Sequence, residues 1–233
     1  MTRYLAPMSE HRFVPRVDPR PDDRAWPVAT RPRAAGIVLT GEWVELRPAT
    51  PADAAELRIA LQDGRIWAHI AGGPLPDDEA AREWIVDVLS RGWLPWIIRL
   101  HREVSGIEAG SVVGWSSFLD IAEADARLEI GNTAYDPQVW GSVVNPECKL
   151  LLLTYAFETL GMGRVQLKTD VRNQRSQEAI ARLGATFEGV LRRYQRRVDG
   201  TVRDTVMFSI LADEWPEVRA GLRGRIASFN RVD

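Results

Sequence analysis

The chain has 233 residues, a formal net charge of −2 and 45% hydrophobic residues. That is enough apolar material for a real core, and too little positive charge for a broad nucleic-acid or anionic-membrane surface. A lone cysteine, Cys148, excludes an intrachain disulfide and fits a reducing compartment. No apolar run reaches the roughly 18 residues of a membrane span. The N-terminus also lacks the apolar stretch of a secretory signal. A soluble, cytoplasmic protein is expected, with no membrane or nucleic-acid partner.

Residues 1–36 hold six prolines and seven arginines. The prolines prevent a long helix, so an irregular extension is expected, with Trp26 available as an anchor. Glu10, Asp18, Asp22 and Asp23 dilute its charge and argue against a nucleic-acid arm. Residues 37–233 read as one domain. Trp43 to Arg47 alternates like a strand. Pro51 then opens a helix with Ala54 to Leu61 as its body. Gly72 to Pro76 form a loop, and Asp77 or Asp78 caps a second helix running to about Arg91. Residues 93–101 and 111–119 are strands, and Arg127 to Tyr135 is a third. A helix is predicted from Pro146 to about Leu160, with Cys148 as a small buried residue. A strand follows from Arg164 to Val171, then a helix from Gln174 to Leu183. Ala185 to Arg193 and Val202 to Leu211 are strands joined through Asp199-Gly200, a hairpin signal. Asp213-Glu214-Trp215-Pro216 starts a last helix. Helical crossovers return the chain in the same direction, so some strands pair in parallel. The expected class is α+β, a mixed sheet with helices on both faces.

Three segments carry chemistry. In Asp136 to Lys149, Gly141 allows close backbone approach, Asn145 is a good N-cap and Pro146 a good first helical residue. Such a helix start is a ready anion site, with Lys149 as an added cation. Glu147 opposes that unless it points aside. An ordinary, well-capped connection explains the same residues. In Asp170 to Ser176, Asn173 caps a short helix that Gly184 closes. In Leu128-Glu129-Ile130-Gly131-Asn132, a glycine within a strand marks a bulge or a close approach. A bulge frees N–H groups able to polarise a carbonyl. Glu129 alternates with Arg127, which suggests a surface ion pair.

In this order the segments resemble the GCN5-related N-acetyltransferase family, and within it the subgroup that includes the ribosomal-protein N-terminal acetyltransferases. The resemblance spans about residues 41–218. It rests on EIGNTAYDPQVWGSVVNPECKLLLLTYAFETLG and VQLKTDVRNQRSQEAIARLGATFEGVLRRYQRRVDGTVRDTVMFSIL. The resemblance implies an α/β sandwich: a central, mostly antiparallel mixed sheet with splayed parallel central strands and helices on both faces. It implies acetyl-CoA as co-substrate, with its pantetheine arm between the strands of Arg127–Tyr135 and Arg164–Val171. The arm would pair with backbone around Ile130, Gly131 and Asn132. The family's pyrophosphate loop maps onto Gln138 to Asn145. Trp140, Gly141, Ser142, Val143, Val144 and Asn145 would then hold the cofactor, along with Lys149. Val143 stands where the family's second glycine is usual, so this is a variant loop. Asn173 would contact pantetheine, and Ser176 would lie near the sulfur.

The implied reaction is direct attack of a neutral amine on the thioester. An N–H near Gly131 would stabilise the oxyanion, Ser176 would protonate the thiolate, and Glu129 would take the amine's proton. His69, Asp204 and Tyr194 are weaker acid–base candidates. Trp67 and Ile70 beside His69 favour a packed histidine. Arg192, Arg193, Arg196 and Arg197 give the last hairpin a basic edge, suited to an acidic acceptor, to the cofactor's 3′-phosphate or simply to solvent. The acceptor is an amine, on a small molecule or a protein N-terminus, and relatives suggest a homodimer. A non-catalytic acyl-CoA-binding module is the alternative. Three scattered histidines and one cysteine offer no zinc-ligand spacing, so no metal is expected. No glycine-rich dinucleotide or P-loop motif follows a strand.

Overall fold

Eight strands form one sheet in the computed structural model, which describes residues 14–18, 25–33, 36–70, 73–197 and 199–229. Most of the Pro/Arg-rich extension, and Gly72 of the predicted loop, lie outside the described residues. The strands are β1 (Leu39–Thr40), β2 (Val44–Pro48), β3 (Leu94–Leu100), β4 (Val112–Ala122), β5 (Arg127–Tyr135), β6 (Arg164–Asp170), β7 (Thr186–Arg196) and β8 (Val202–Leu211). The helices are α1 (Ala54–Ala60), α2 (Asp78–Ser90), α3 (Val144–Thr154), α4 (Gln174–Ala181) and α5 (Trp215–Phe229). The order across the sheet is β1-β2-β3-β4-β5-β6-β8-β7. Among these strands only β5 and β6 pair in parallel; the remaining neighbours are antiparallel.

Strand alternation divides the core. Leu94, Trp96, Ile98 and Leu100 pack with Phe118, Leu128 and residues of α3 and α5. Ile97 points the other way, to Trp115 and the apolar stripes of α1 and α2. On that second face Trp67, Trp84 and Trp115 pack in series, the first pair edge to face and the second tilted, with centroid separations of 5.3 and 3.6 Å. Asp77 caps α2 as expected, its side chain accepting from Ala80 N.

Two features open the sheet at its centre. β5 and β6 pair only at Arg127–Arg164, Leu128–Val165 and Glu129–Gln166. Beyond that, β5 follows β4 and β6 follows β8, so the two part. β5 also carries a bulge. Ser117 faces Gly131 and Trp115 faces Ala134, so Asn132 and Thr133 together oppose Ser116. Asn132 takes a left-handed φ of 45°, which asparagine tolerates better than most residues. The bulge therefore falls one residue past the glycine that signalled it.

The start of α3 also differs from expectation. The helix begins at Val144, and Val143 gives it no side-chain cap, so Asn145 and Pro146 lie inside the first turn. Proline fits there because the first N–H groups of a helix have no intrahelical partner. The predicted helix to Leu160 ends as a π-turn over Tyr155–Thr159. Glu147 does point aside. Its buried carboxylate accepts from the backbone N–H of Glu42, Trp43 and Val44 at 2.8, 2.7 and 2.7 Å, which ties α3 to the start of β2. Just before the start of β6, Trp26 lies against Gly163 and Thr30 N donates to Leu160 O at 2.8 Å.

Candidate active site

A cavity of about 610 Å³ opens where β5 and β6 part. It reaches from the 3₁₀ turn at Gly64–His69 past the N-terminal ends of α3 and α4 to α5. Among the described residues, the β6-facing backbone edge of β5 beyond Glu129 has no strand partner, and neither does the β5-facing edge of Leu167 to Thr169. Parted edges of this kind offer strand-like hydrogen bonds to an extended amide chain.

Glu129, Ile130, Gly131, Asn132, Trp140, Gly141, Ser142, Asn145, Lys149, Asn173 and Ser176 all line this cavity. Val143 and Val144 do not; their side chains are buried in the core beneath α3. Gly141 has a φ of 79° with open space where a Cβ would stand, so its backbone conformation calls for glycine. Ser142 Oγ donates to Val139 O at 2.7 Å and accepts from Val144 N at 3.2 Å, organising the loop ahead of α3. With Glu147 turned away, the positive end of α3 faces the cavity without a carboxylate against it.

Lys149 differs from its expected place beside a phosphate. It turns inward, and Nζ donates to Ser116 Oγ at 3.1 Å and Thr133 Oγ1 at 3.0 Å. It braces the bulge from beneath, and burial without a carboxylate lowers its pKa to about 8.

Glu129 is no surface residue. It is 1% exposed and pairs with Lys168, while Arg127 pairs with Asp125. Glu129 Oε2 accepts from Lys168 Nζ at 2.7 Å and from Gln166 Nε2 at 3.3 Å. Oε1 lies against Gly131. Burial raises the carboxyl's pKa, and the Lys168 charge partly offsets this. Lys168 also stands 3.6 Å from Asp120 Oδ2 and 5.7 Å from the centre of the Tyr194 ring. Lys168, Asp120 and Arg203 line the cavity but carry no local sequence signal, because they come from separate strands.

On the α4 side, Asn173 caps the helix through Ser176 N at 3.1 Å. Arg175 stacks 3.4 Å from the Trp140 ring centre, with Arg65 5.7 Å from the same ring. His69 is exposed and lines the cavity; Trp67 is the packed residue, with Nε1 donating to Leu61 O at 2.9 Å. Tyr194 reaches the cavity, but Asp204 does not and accepts from Arg193 N at 2.6 Å. None of Arg192, Arg193, Arg196 and Arg197 lines it, and Arg197 is bound to Asp170.

Residues 44–186 match the acetyltransferase (GNAT) domain family. YdaF of Bacillus subtilis, named as a ribosomal N-acetyltransferase, is 31% identical over 184 residues, covering 75% of this chain and 94% of YdaF. A crystal structure from T. thermophilus, described as an acetyltransferase, is 37% identical with a TM-score of 0.72, covering 81% of this chain and 96% of that one. RimJ of Mycobacterium smegmatis, solved with CoA-disulfide, shares the fold at 21% identity and a TM-score of 0.64, over 78% and 88% of the two chains. The parted central strands and this domain match lead to one assignment: the chain belongs to the GCN5-related N-acetyltransferase family, in its ribosomal-protein-acetyltransferase-like subgroup, and is an acetyl-CoA-dependent acyltransferase.

Proposed function

We propose that this protein transfers the acetyl group of acetyl-CoA to a primary amine, on a protein N-terminus or a small molecule, by direct attack of the amine. The observation that carries this reading is the cavity between β5 and β6, with unpaired strand edges along it and a buried carboxylate on its wall. The edges suit the amide-bearing arm of the co-substrate, and the start of α3 suits its pyrophosphate. Ile130, Gly131 and Asn132, the loop from Trp140 to Asn145, and Asn173 are the proposed binding residues. The thioester supplies an activated acyl carbon.

The chain's own residues then manage charge and protons. Glu129 accepts the proton of the attacking amine, directly or through a water, as the N–C bond forms. Burial raises its pKa and makes it a stronger base than an exposed carboxylate, and the Lys168 charge partly offsets that rise. Backbone N–H groups freed at the β5 bulge stabilise the negative oxygen. Ser176 protonates the thiolate as the C–S bond breaks. Lys149 contributes by holding the bulge rather than by touching a phosphate.

The test is turnover of acetyl-CoA with a panel of peptides bearing free N-termini, amino acids and polyamines, read by thiol release and product mass. An acetylated amine is expected. Calorimetric binding of acetyl-CoA with no turnover across the panel would make the chain a binding module instead.

A further inference from the structure

Arg203 and Arg225 are the two cavity cations with a buried nitrogen that has no hydrogen-bond partner among the described residues, but Arg203 feels the carboxylates of Asp170 and Glu129, whereas the charge acting on Arg225 is that of Arg182. Lys168 is held by Glu129, Lys149 by two hydroxyls, and Arg175 by the Trp140 ring. Arg225 comes from α5, beyond residue 186 where the family match ends. It is half-buried, and its Nη1 is buried with no hydrogen-bond partner among the described residues. Arg182, at the end of α4, lines the same cavity, and its charge disfavours the charged form of Arg225, as burial does more strongly. Arg182 has one ion pair, an exposed 3.4 Å contact with Glu178, which offers little competition. Two guanidinium groups thus converge at one end of the cavity, with no buried anion between them among the described residues. Desolvated cations in that state are costly, and a doubly charged oxyanion offsets the cost.

Pro146, Ala179, Ile180 and Leu183 line the wall between the start of α3 and this pair. They form an apolar surface that a flat heterocycle can cover. We propose that Arg182 and Arg225 bind the 3′-phosphate of coenzyme A, with the adenine on that apolar wall and α5 closing the end of the cleft. This rests on the acetyl-CoA reading above. Coenzyme A is a linear molecule. With its sulfur near Gly131 and Ser176 and its pyrophosphate at the start of α3, the 3′-phosphoadenosine is what remains to be placed. The forked donors of arginine match a phosphate in geometry as well as charge.

The experiment is calorimetric titration of the full chain with coenzyme A and with 3′-dephospho-coenzyme A. The wild type should prefer coenzyme A by on the order of 10- to 100-fold, the range of hydrogen bonds to a charged group. Arg225→Met and Arg182→Met should each reduce that preference, and the double variant should abolish it while binding the dephospho form as the wild type does. Arg223→Met, which removes an exposed charge of α5 outside the cavity, should keep the full preference. If Arg225→Met lowers the melting temperature, Arg225→Lys keeps the charge without the fork and should retain part of the preference. Equal affinities in the wild type, or a preference that survives the double variant, would overturn the proposal and leave the acetyl-CoA reading intact. A wild type that binds neither ligand would overturn both.

Discussion

The carboxylate of Glu129 occupies the space a side chain at position 131 would take. A Cβ on Gly131 would stand 2.7 Å from Glu129 Oε1 and 2.6 Å from Leu119 Cδ1. Gly131 is thus needed for space, whereas Asn132 supplies the left-handed turn of the bulge. Both blocking atoms end flexible side chains and can swing aside. Gly131→Ala should therefore cost only about 1 kcal/mol of stability. Displacing the carboxylate is costlier for catalysis, and kcat should fall on the order of 100-fold. Glu129→Gln should lower kcat by roughly 10²- to 10⁴-fold with acetyl-CoA binding retained. Steady-state kinetics beside calorimetry decide this, and a wild-type kcat in Glu129→Gln removes Glu129 as the base.

Lys168 sets the pH at which that base works. Its ammonium lowers the Glu129 pKa against the stronger effect of burial. The base is active when ionised, so kcat/KM rises with pH through the Glu129 titration. Removing the positive charge raises that pKa further. In Lys168→Met the acid limb of the pH–rate profile should move to higher pH, with activity recovering at the alkaline side. A limb that stays in place, or moves to lower pH, shows that the limb reports another group.

Ser176 stands in the first turn of α4, with its backbone N–H already bound to Asn173. The cap therefore does not depend on the Ser176 side chain, and Ser176→Ala should leave the melting temperature and acetyl-CoA affinity unchanged. Turnover should slow, because the departing thiolate loses its proton donor. The loss should be smallest with acyl donors whose thiol is more acidic, which leave without a proton. Unchanged kinetics across such donors removes Ser176 from the reaction.

The strand ranges Arg127–Tyr135 and Val202–Leu211 were legible because alternation and turn residues are local signals. The start of α3 was not. Asn145-Pro146 satisfies the rule for a cap and a first residue, yet proline is tolerated anywhere in the first turn, so it fixes the start only to within a few residues. The inward turn of Lys149 was not legible for a related reason: position near a helix start says nothing about which way a long side chain turns. Glu129 was legible as a candidate, but its partner was not. Arg127 is its neighbour along the strand, whereas Lys168 reaches it across the parallel register, which no local pattern records. Arg182 and Arg225 meet only through the packing of α5, so the hairpin arginines drew attention instead.

The pair Asp170–Arg197 shows what those hairpin arginines do. Asp170 is 3% exposed and ends β6 three residues before Asn173, the α4 cap. It accepts from Arg197 Nε at 2.6 Å and Nη2 at 3.0 Å, and from Arg172 N at 2.9 Å. The Arg197 hydrogen bonds are the main reason its pKa drops from 3.8 to about 2, against the opposing effect of burial. A carboxylate whose pKa is lower folded than unfolded stabilises the fold above the unfolded value. That contribution is lost as pH falls from 3.8 towards 2, and it amounts to about 2 kcal/mol. Arg197→Met strands a buried charge and should cost about 3 kcal/mol at pH 7. Once Asp170 is protonated in both proteins the difference should shrink, so urea unfolding curves of wild type and variant should converge below pH 3.8. A gap that stays constant from pH 7 down through that window would mean that Arg197 acts through packing of its stem rather than through the carboxylate.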